Sequence, residues 1–583
     1  MLKRVFIIIF IIFISVLNAN SDSNNTKKQK EYQLIIEGVK YLDKDDIAKA
    51  LGVKESSILK FWDDKKIIKE QFLKNLKETL KSYLENKGYF DAKIEIIKNG
   101  DIVKVIINEG EPVRIKDIKI DSNFKIKDLI TFKIGDIFEA DKFVEIKDKI
   151  INRLLENGYC KYKLKTKAYI DLKKHSAKLL YKLDKDGVCH FGEIKIVKHP
   201  KDISKDVIYS RIKFRKGDRF DIRAINESYS SLNQLNTFAN IQIKYNFDNN
   251  RSVDTNVSLD KREKLKRYLL AIGYDSVIGM RFKGLWERRN FLGNAKKLTI
   301  YTEIAKNNKK IQSSLFAPAF LSFYGYYADF YISTGYEKER IDAYKLKRFF
   351  VNGYFDYNYK NWDFQLGLSL ENLQIHLYDN LPYVIGGTFN LLYPYFHITY
   401  DGRDSKLDPK NGIYLSWYNE YGLASGVDGV QYYKYILEAR YIKSFGDLTL
   451  SAVGKVGAIH EISGTLPASK LFYGGGVYSN RAYGKKDIGI VTSSKSFKKL
   501  GGKSLLNFQL EANYKLYKKL YGAIFFDSTM ISEQEYNFKG KRIDTIGIGL
   551  RYKTPIGPIK IDLGFNIHNR KDHAISIMLG QSF

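Results

Sequence analysis

The ten residues from Leu505 to Tyr514 read LLNFQLEANY and alternate between apolar and polar side chains. One face would carry Leu506, Phe508, Leu510, Ala512 and Tyr514, and the other would carry Asn507, Gln509, Glu511 and Asn513. A period of two with one apolar and one polar face is typical of a transmembrane β-barrel strand, whose apolar face contacts lipid. We therefore predict that Glu511 faces the interior of a barrel.

The same alternation extends over residues 265–583. It recurs in WDFQLGLSL (362–370), IKIDLGFNI (559–567) and AISIMLGQSF (574–583), and the whole chain contains 43 tyrosines. A soluble β-sandwich also alternates, but its strands are shorter and its polar face meets water. At roughly twenty residues per strand and connection, this region predicts an all-β transmembrane barrel of about sixteen antiparallel strands.

The N-terminal half contains repeats. One pattern of apolar residues followed by a glycine occurs twice, seventy residues apart. The first copy is Leu73, Leu76, Leu80, Leu84 and Gly88, and the second is Phe143, Ile146, Ile150, Leu154 and Gly158. Spacings of three and four indicate one helical face, and the glycine suits a left-handed cap. A divergent third copy keeps Ile225, Tyr229 and Leu232 but has Asn236-Thr237 in place of the glycine. We predict three α+β domains of the order strand, helix, helix, strand, strand (βααββ), at 31–112, 113–189 and 190–260.

The N-terminus has the features of an export signal. Residues 1–19 comprise MLKR, a thirteen-residue apolar core from Val5 to Leu17, and a small residue at Ala19. This pattern predicts a cleaved signal peptide, with an uncleaved N-terminal anchor as the alternative. The formal net charge of +31 would allow a nucleic-acid or anionic-lipid partner, but the lysines are scattered and no zinc-finger spacing or stacking platform for nucleic acid accompanies them. We therefore expect no nucleic-acid partner.

Only two cysteines are present, Cys160 and Cys189, too few for a disulfide scaffold. If the turn after Leu172 lies at Lys173–Ser176, the two cysteines face each other across a hairpin. We predict that they are close enough for a disulfide.

A glycine-rich loop follows the middle of the predicted barrel. Residues 474–484 read GGGVYSNRAYG, and the run from Gly474 to Gly502 contains seven glycines and no proline. Loops of this length without secondary structure are usually functional or disordered. From the residues alone Arg481 is either a solvated side chain or one held by a specific partner.

Together, the repeats, the barrel and the SNRAYG loop resemble the BamA/TamA family of outer-membrane assembly proteins. The repeats look like the POTRA domains of that family, and three of them before a barrel of this length is closest to TamA, the barrel subunit of the translocation and assembly module. The turn DGRDSKLDPKNG (401–412) and the run GLRYKTPIGPIKIDLGF (549–565) also carry the resemblance. Ala482 departs from it, because glycine usually follows the loop arginine.

The resemblance implies a role for each of several residues. Arg481, with Tyr483 and Gly484, would fold back into the barrel and meet acidic residues of the inner wall. Alternation offers Glu511 and Asp562 as partners, and Asp527 matches the acidic position that the family uses. A weak seam is expected between the first strand, near Lys266–Ser276, and the last, which carries the predicted seam residues Ile577, Gly580 and Phe583.

The function implied is insertion or secretion of client β-barrel or autotransporter-type proteins at the outer membrane, with the repeats in the periplasm. Expected partners are outer-membrane lipid, the clients and a TamB-like protein. Alternatives are a two-partner secretion exporter, transport of phospholipid to the outer membrane, a BamA-type insertase, which would have five repeats, and a plain porin. The eight histidines are dispersed and no catalytic or metal motif is present, so we expect neither an enzyme nor a cofactor.

Overall fold

The structure, a computed structural model, describes residues 30–53, 66–247, 250–275, 279–378, 383–491, 499–554 and 557–579. The predicted signal peptide, residues 1–19, lies outside these ranges. Among the described residues, no helix combines the length and the apolar character needed to cross a membrane.

The first repeat contains a four-stranded sheet in the order β2-β1-β4-β3, with β1 parallel to β4. Its elements are β1 (Glu31–Glu37), α1 (Lys44–Ala50), β2 (Lys66–Lys69), α2 (Glu70–Leu73), α3 (Leu76–Asn86), β3 (Lys93–Asn99) and β4 (Ile102–Asn108). The short β2 and α2 are additions to the predicted order. The predicted β3–β4 turn at Asn99-Gly100 is present, because Asn99 pairs with Ile102.

The second repeat has a three-stranded sheet in the order β5-β7-β6. Its elements are β5 (Arg114–Ser122), a 3-10 turn (Lys127–Leu129), α4 (Ala140–Glu156), β6 (Tyr162–Asp171) and β7 (Ser176–Lys185). The first of the two expected helices is therefore only a 3-10 turn.

Both repeated helices end as the glycines predict. Gly88 and Gly158 have φ angles of +89° and +77°. The amides of Tyr89 and Tyr159 donate to the carbonyls of Leu84 and Leu154 at 2.9 Å in both cases, which is the Schellman arrangement. The leucine and isoleucine stripes of α3 and α4 are buried against their sheets: Leu76, Leu80, Leu84, Ile146, Ile150 and Leu154.

The third repeat follows the predicted order, with its sheet arranged β8-β10-β9. Its elements are β8 (His190–Lys198), α5 (Lys205–Tyr209), α6 (Ile222–Gln234), β9 (Phe238–Phe247) and β10 (Ser252–Lys261). Asn236, with φ of +55°, occupies the left-handed position after α6, which an asparagine tolerates better than most residues.

Cys160 and Cys189 form a disulfide with a Cα–Cα distance of 5.9 Å. The predicted hairpin register was wrong by one turn residue, because Asp171 pairs with Ser176 and the turn spans residues 172–175. The β6–β7 ladder therefore ends at Tyr162 and Lys185, and the two cysteines lie beyond it rather than opposite each other within it.

The C-terminal region is a closed barrel of sixteen antiparallel strands, as predicted. The first eight are β11 (Lys266–Asp275), β12 (Gly279–Arg288), β13 (Lys297–Ala305), β14 (Asn308–Phe323), β15 (Tyr326–Arg340), β16 (Tyr344–Tyr359), β17 (Trp362–Leu377) and β18 (Gly387–Asp401). Two short strands, β22 (Ile490–Val491) and β23 (Lys499–Leu500), form a separate two-stranded sheet that is not part of the barrel wall. The remaining wall strands are β19 (Gly412–Gly426), β20 (Val430–Phe445), β21 (Leu448–Ser463), β24 (Ser504–Tyr517), β25 (Leu520–Ser532), β26 (Arg542–Tyr552), β27 (Ile559–Asn566) and β28 (His573–Leu579).

The two faces of β24 are those that its alternation predicts. Phe508 and Leu510 are both 41% exposed on the outer surface, whereas Asn507 and Glu511 are 1% and 3% exposed inside. The barrel wall is uneven in height, because β17 has 16 residues and β27 has 8.

The third repeat packs on the barrel. Val207 and Ile208 of α5 share an apolar core with Phe316 of β14. Arg211 donates to Asp329 of β15 at 2.5 Å, and both side chains are largely buried. Nearby, Asp202 accepts hydrogen bonds from Lys261 and Asn290, and the bond from Lys261 holds the pKa of Asp202 below its usual range.

Candidate functional site

The described part of the connection from β21 to β24, residues 464–491 and 499–503, folds into the barrel interior; we call it the lumen loop. It is internally bonded, because Gly474 and Ile488 exchange backbone hydrogen bonds of 2.9 and 3.1 Å. Gly475 has a φ of +93°, and a Cβ there would lie 2.3 Å from the Gly484 carbonyl oxygen. The glycines thus allow the two arms of the loop to pack closely against each other, with Arg481 in contact with the barrel wall.

Arg481 is 3% exposed and is held mainly by Asp527 of β25. Its Nε and Nη2 donate to the two Asp527 carboxylate oxygens at 2.9 and 2.8 Å, and its backbone amide donates to Asp527 Oδ2 at 2.9 Å. Nη1 also donates to Glu511 of β24. The guanidinium carbon lies 3.5 Å from the centre of the Phe525 ring, so the side chain has a planar stacking surface as well as a two-pronged ionic partner.

Asp562 of β27 completes the acidic set, with a carboxylate oxygen 3.7 Å from Arg481 Nη1. The structure therefore places all three acidic residues named from the sequence around the loop arginine. Each comes from a different strand, and the cluster connects β24, β25 and β27 through one side chain of the lumen loop.

Two basic residues of this cluster were not identified from the sequence. Arg551 of β26 donates to Glu511 at 3.0 Å and lies 2.5 Å from Asp562, and Lys560 of β27 is buried beside them at 3% exposure. Both occupy inward positions of alternating strands, so the pattern that identified Glu511 would also have found them. Three buried cations thus accompany three buried carboxylates, which limits the cost of burying each charge.

Tyr483 connects the lumen loop to the last hairpin of the barrel. Its hydroxyl donates to Asp572 Oδ2 at 2.8 Å and accepts from Asn566 Nδ2 at 2.5 Å. Gly484 lies in the return of the loop, where its amide donates to Asp487 at 3.2 Å. The loop tip itself, including Ala482, is buried against Gly564 of β27, since a Cβ on Gly564 would lie 2.8 Å from the Arg481 carbonyl.

The lumen loop is also bound to the opposite half of the barrel. Lys470 lies 3.4 Å from Glu371 of β17 and 3.8 Å from Glu420 of β19, and Lys486 donates to Glu339 of β15 at 2.6 Å. Apart from the presence of lysines in the loop, no pattern in the sequence indicates these contacts. The loop therefore bridges two sides of the lumen.

The barrel closes with very few backbone contacts. Ten residue pairs join β11 to β12 and seven join β27 to β28, but in the described part of the chain only Asp275 and Ser576 pair between β11 and β28. We call this junction the seam. Ile577 lies next to the paired residue and is partly exposed, whereas Gly580 and Phe583 lie outside the described residues.

The described residues contain no group of three or more His, Cys, Asp or Glu side chains arranged to hold a metal ion. The buried carboxylates of Glu371, Glu511 and Asp527 are instead engaged by lysine and arginine. The arrangement can hold a loop in place and leave a strand edge available, which are mechanical rather than chemical properties.

Comparison with known proteins identifies two matching family models. The Omp85 superfamily domain matches residues 290–583. A POTRA model, described as a surface antigen variable number repeat, matches residues 33–110 and 113–186, which are the first two repeats.

Among curated proteins, the outer membrane protein assembly factor BamA of Nitratidesulfovibrio vulgaris is 21% identical over 572 residues, covering 92% of this chain and 70% of the relative. BamA of Buchnera aphidicola is 24% identical over 304 residues, covering 50% of this chain and 46% of the relative. Among solved structures, Haemophilus ducreyi BamA lacking POTRA domains 1–3 superposes with a TM-score of 0.51 at 16% identity, covering 80% of this chain and 98% of that one. The structural likeness supports the fold.

Proposed function

The chain belongs to the Omp85 superfamily, whose domain model covers half of it, and from this premise we propose that it inserts or secretes client β-barrel or autotransporter-type proteins through the seam. Its barrel lies in the outer membrane and its repeats lie in the periplasm. The relatives named above are assembly factors, which supports a role in assembly rather than in solute conduction.

The observation that carries the proposal is that, within the described ranges of β11 and β28, one residue pair, Asp275 with Ser576, joins the two strands. Closing a barrel normally removes exposed strand edges. Along the described residues of β11 and β28, the facing edges therefore offer backbone groups with which a further strand could pair. A client strand would pair with such an edge by β-augmentation, in which main-chain hydrogen bonds supply much of the affinity.

The lumen loop would keep one side of the seam rigid while the other moves. Arg481 joins β24, β25 and β27, and Tyr483 bonds Asp572 in the turn before β28. Opening would therefore consist of β11 moving away from a C-terminal wall that the loop holds in shape. The proposed activity requires no catalytic residue.

The periplasmic repeats would receive clients or bind a TamB-like partner. In the part of the chain that the structure describes, β3 and β6 are edge strands of the first two sheets, and such edges are common sites for strand addition. The presence of three repeats favours a TamA-like protein, although the curated relatives named above are BamA proteins. A TamA-like protein would bind the TamB-like partner through these repeats.

A reversible lock on the seam tests the proposal. Asp275→Cys combined with Ser576→Cys would join a residue pair that spans the seam, and Leu563→Cys combined with Ile575→Cys would join a β27–β28 pair that does not. We expect oxidation to stop insertion of a client barrel into proteoliposomes in the first variant only, and reduction to restore it. Because reductant also reaches Cys160–Cys189, the second variant controls for that bond. Unchanged insertion by a fully oxidised seam variant would exclude the seam as the route.

A further inference from the structure

A group of basic side chains lies on the outer surface of the barrel near one end of β14, β15 and β16. We call it the rim patch, and it consists of Lys309, Lys338, Arg340, Lys345 and Lys347. All five are exposed. The residues alternating with them on β15, Glu337 and Glu339, are buried in the interior, so the rim patch faces away from the lumen.

The strand register brings these cations together in two rows. Lys309 is directly opposite Lys338, and Lys338 is directly opposite Lys347 on the next strand. In the second row, Arg340 is directly opposite Lys345. Side chains in such positions have Cβ atoms about 4.5–5.5 Å apart, and like charges placed there are destabilising.

No carboxylate offsets this repulsion among the described residues, where none of the five forms an ion pair within 4.0 Å. The single acid in the connecting turn, Asp342, is exposed and is likewise unpaired there. The outward rim positions of the neighbouring strands β17 and β18 include Gln374, Thr388 and Asn390, which are uncharged. The row of cations on β14, β15 and β16 is therefore not continued at these positions of β17 and β18.

An apolar row adjoins the patch on the same outer face. Ile311, Tyr336 and Phe349 occupy the next outward positions on the three strands, pair in register, and are 55%, 39% and 51% exposed. One outward step along a strand is about 7 Å. A molecule that covered both rows would need an anionic group directly attached to a hydrocarbon part.

The patch lies at the end of the barrel that faces away from the periplasm. β11 starts directly after the third repeat, so the turns at residues 306–307 and 341–343 come after three and five crossings of the wall, at the opposite rim. Lysines on the lipid face cost about 0–1 kcal/mol at an interface, against about 2–4 kcal/mol at the bilayer midplane, so this position is compatible with the headgroups of the outer leaflet.

We propose that the rim patch binds an outer-leaflet lipid whose headgroup carries phosphate groups. The phosphates accept charge-assisted hydrogen bonds from Lys338, Lys347 and their neighbours, and the acyl chains lie on the row of Ile311, Tyr336 and Phe349. Such a lipid removes the like-charge repulsion across β14–β16 and fixes the rotational position of the barrel relative to its surrounding lipid.

Binding of bisphosphorylated lipid A to the full-length protein in detergent tests this proposal, with native mass spectrometry as the readout. Lys338→Gln combined with Lys347→Gln should weaken binding by about thirtyfold, since each surface cation contributes roughly a factor of five toward anionic lipid. Lys163→Gln combined with Lys165→Gln removes the same charge from exposed positions of β6 in the periplasm, and should leave binding unchanged. Lys338→Arg combined with Lys347→Arg should retain it.

Three comparisons decide the outcome. Equal binding by the glutamine pair and by the wild type, or equal binding of dephosphorylated lipid A, would overturn the proposal. Complete displacement of lipid A by millimolar inorganic phosphate would also overturn it, since the site would then be one for a free anion. If the glutamine pair fails to fold, as judged by its heat-dependent mobility in gels, Lys309→Gln combined with Lys345→Gln makes the same test at two other positions of the patch.

Discussion

Gly564 of β27 lies directly against the backbone of Arg481, so that a Cβ added to Gly564 would come within 2.8 Å of the Arg481 carbonyl carbon and oxygen and 2.9 Å of the Ala482 amide nitrogen. The lumen loop therefore packs so closely on the barrel wall at Gly564 that no room is left there for a side chain. A larger residue at position 564 would have to displace the lumen loop from the position it has in the structure.

Gly564→Val should displace the lumen loop and destabilise the barrel by about 1–3 kcal/mol, the usual cost of overpacking a tight contact. Limited trypsin digestion at Lys485 and Lys486 should become faster, and the urea midpoint should fall. Gly454→Val is the matched control, because a Cβ on Gly454 of β21 meets nothing within 4 Å. Equal protease resistance of the two variants would show that the loop does not depend on this contact.

Arg481→Ala should lower the free energy of unfolding by about 3–5 kcal/mol, because it leaves buried carboxylates without their cation. Arg481→Lys should recover only part of this loss, since an ammonium cannot bond both Asp527 oxygens and stack on Phe525 at once. Unfolding in urea, followed by loss of the compact gel form, measures the differences. A lysine variant as stable as the wild type would contradict the importance of the planar, two-pronged geometry.

Lys470→Met should destabilise the lumen loop from its other side by about 2–4 kcal/mol, because Glu371 and Glu420 then lose a buried cationic neighbour. Its effect should be additive with that of Gly564→Val if the two sides of the loop act independently, and less than additive if the loop moves as one body. Urea unfolding of the single and double variants distinguishes these cases. Lys443→Met, on the exposed outer surface of β20, should change stability by less than about 0.5 kcal/mol.

Removing the disulfide through Cys160→Ala and Cys189→Ala should destabilise the second repeat by about 3–4 kcal/mol, given a closed loop with a sequence separation of 29. Thermal unfolding of the full chain should show an earlier transition for the variant, with no further shift on adding reductant. Reductant should lower the same transition in the wild type. A wild-type protein whose cysteines react with an alkylating reagent before reduction would contradict the bond.

A photo-crosslinking residue at Ile577 should capture client polypeptides in cells, because this position adjoins Ser576, which pairs with Asp275 across the seam. The same residue at Ile524, which is 65% exposed on β25 away from the seam, should capture lipid alone. Several different nascent barrel proteins at Ile577 would support general assembly. One large secreted protein would instead favour an exporter, and lipid without protein would favour phospholipid transport.

Local patterns predicted those parts of the fold that depend on neighbouring residues in the chain. Alternation identified the faces of β24, and the spacing of Leu76, Leu80 and Leu84 identified the buried side of α3. Gly88 and Gly158 marked helix ends because few other residues adopt their backbone angles without strain. The residues surrounding Arg481 required the family resemblance in addition, since alternation placed Glu511 in the lumen without indicating what it would meet there.

The residues that sequence reasoning missed are those whose role depends on contacts between distant segments. Gly564 resembles any other strand glycine until the backbone of residue 481 is placed against it. Lys470 and Lys486 are ordinary loop lysines until β15, β17 and β19 supply their carboxylates. The hairpin register near Cys160 was wrong for a related reason: β6 and β7 have similar alternation in either register, so a one-residue difference in the turn changes little in the sequence pattern.

The uneven height of the wall has a consequence for the surrounding bilayer. With strands inclined at about 40°, the 16 residues of β17 rise about 41 Å and the 8 residues of β27 rise only about 20 Å. The apolar band of an outer-membrane barrel is about 25 Å tall, so lipid beside β27 must compress to match the protein, while lipid beside β17 need not. Hydrophobic mismatch of this kind thins a bilayer locally. Thinning on the side of the barrel where β11 and β28 meet would shorten the path of a polar hairpin loop through the hydrocarbon layer.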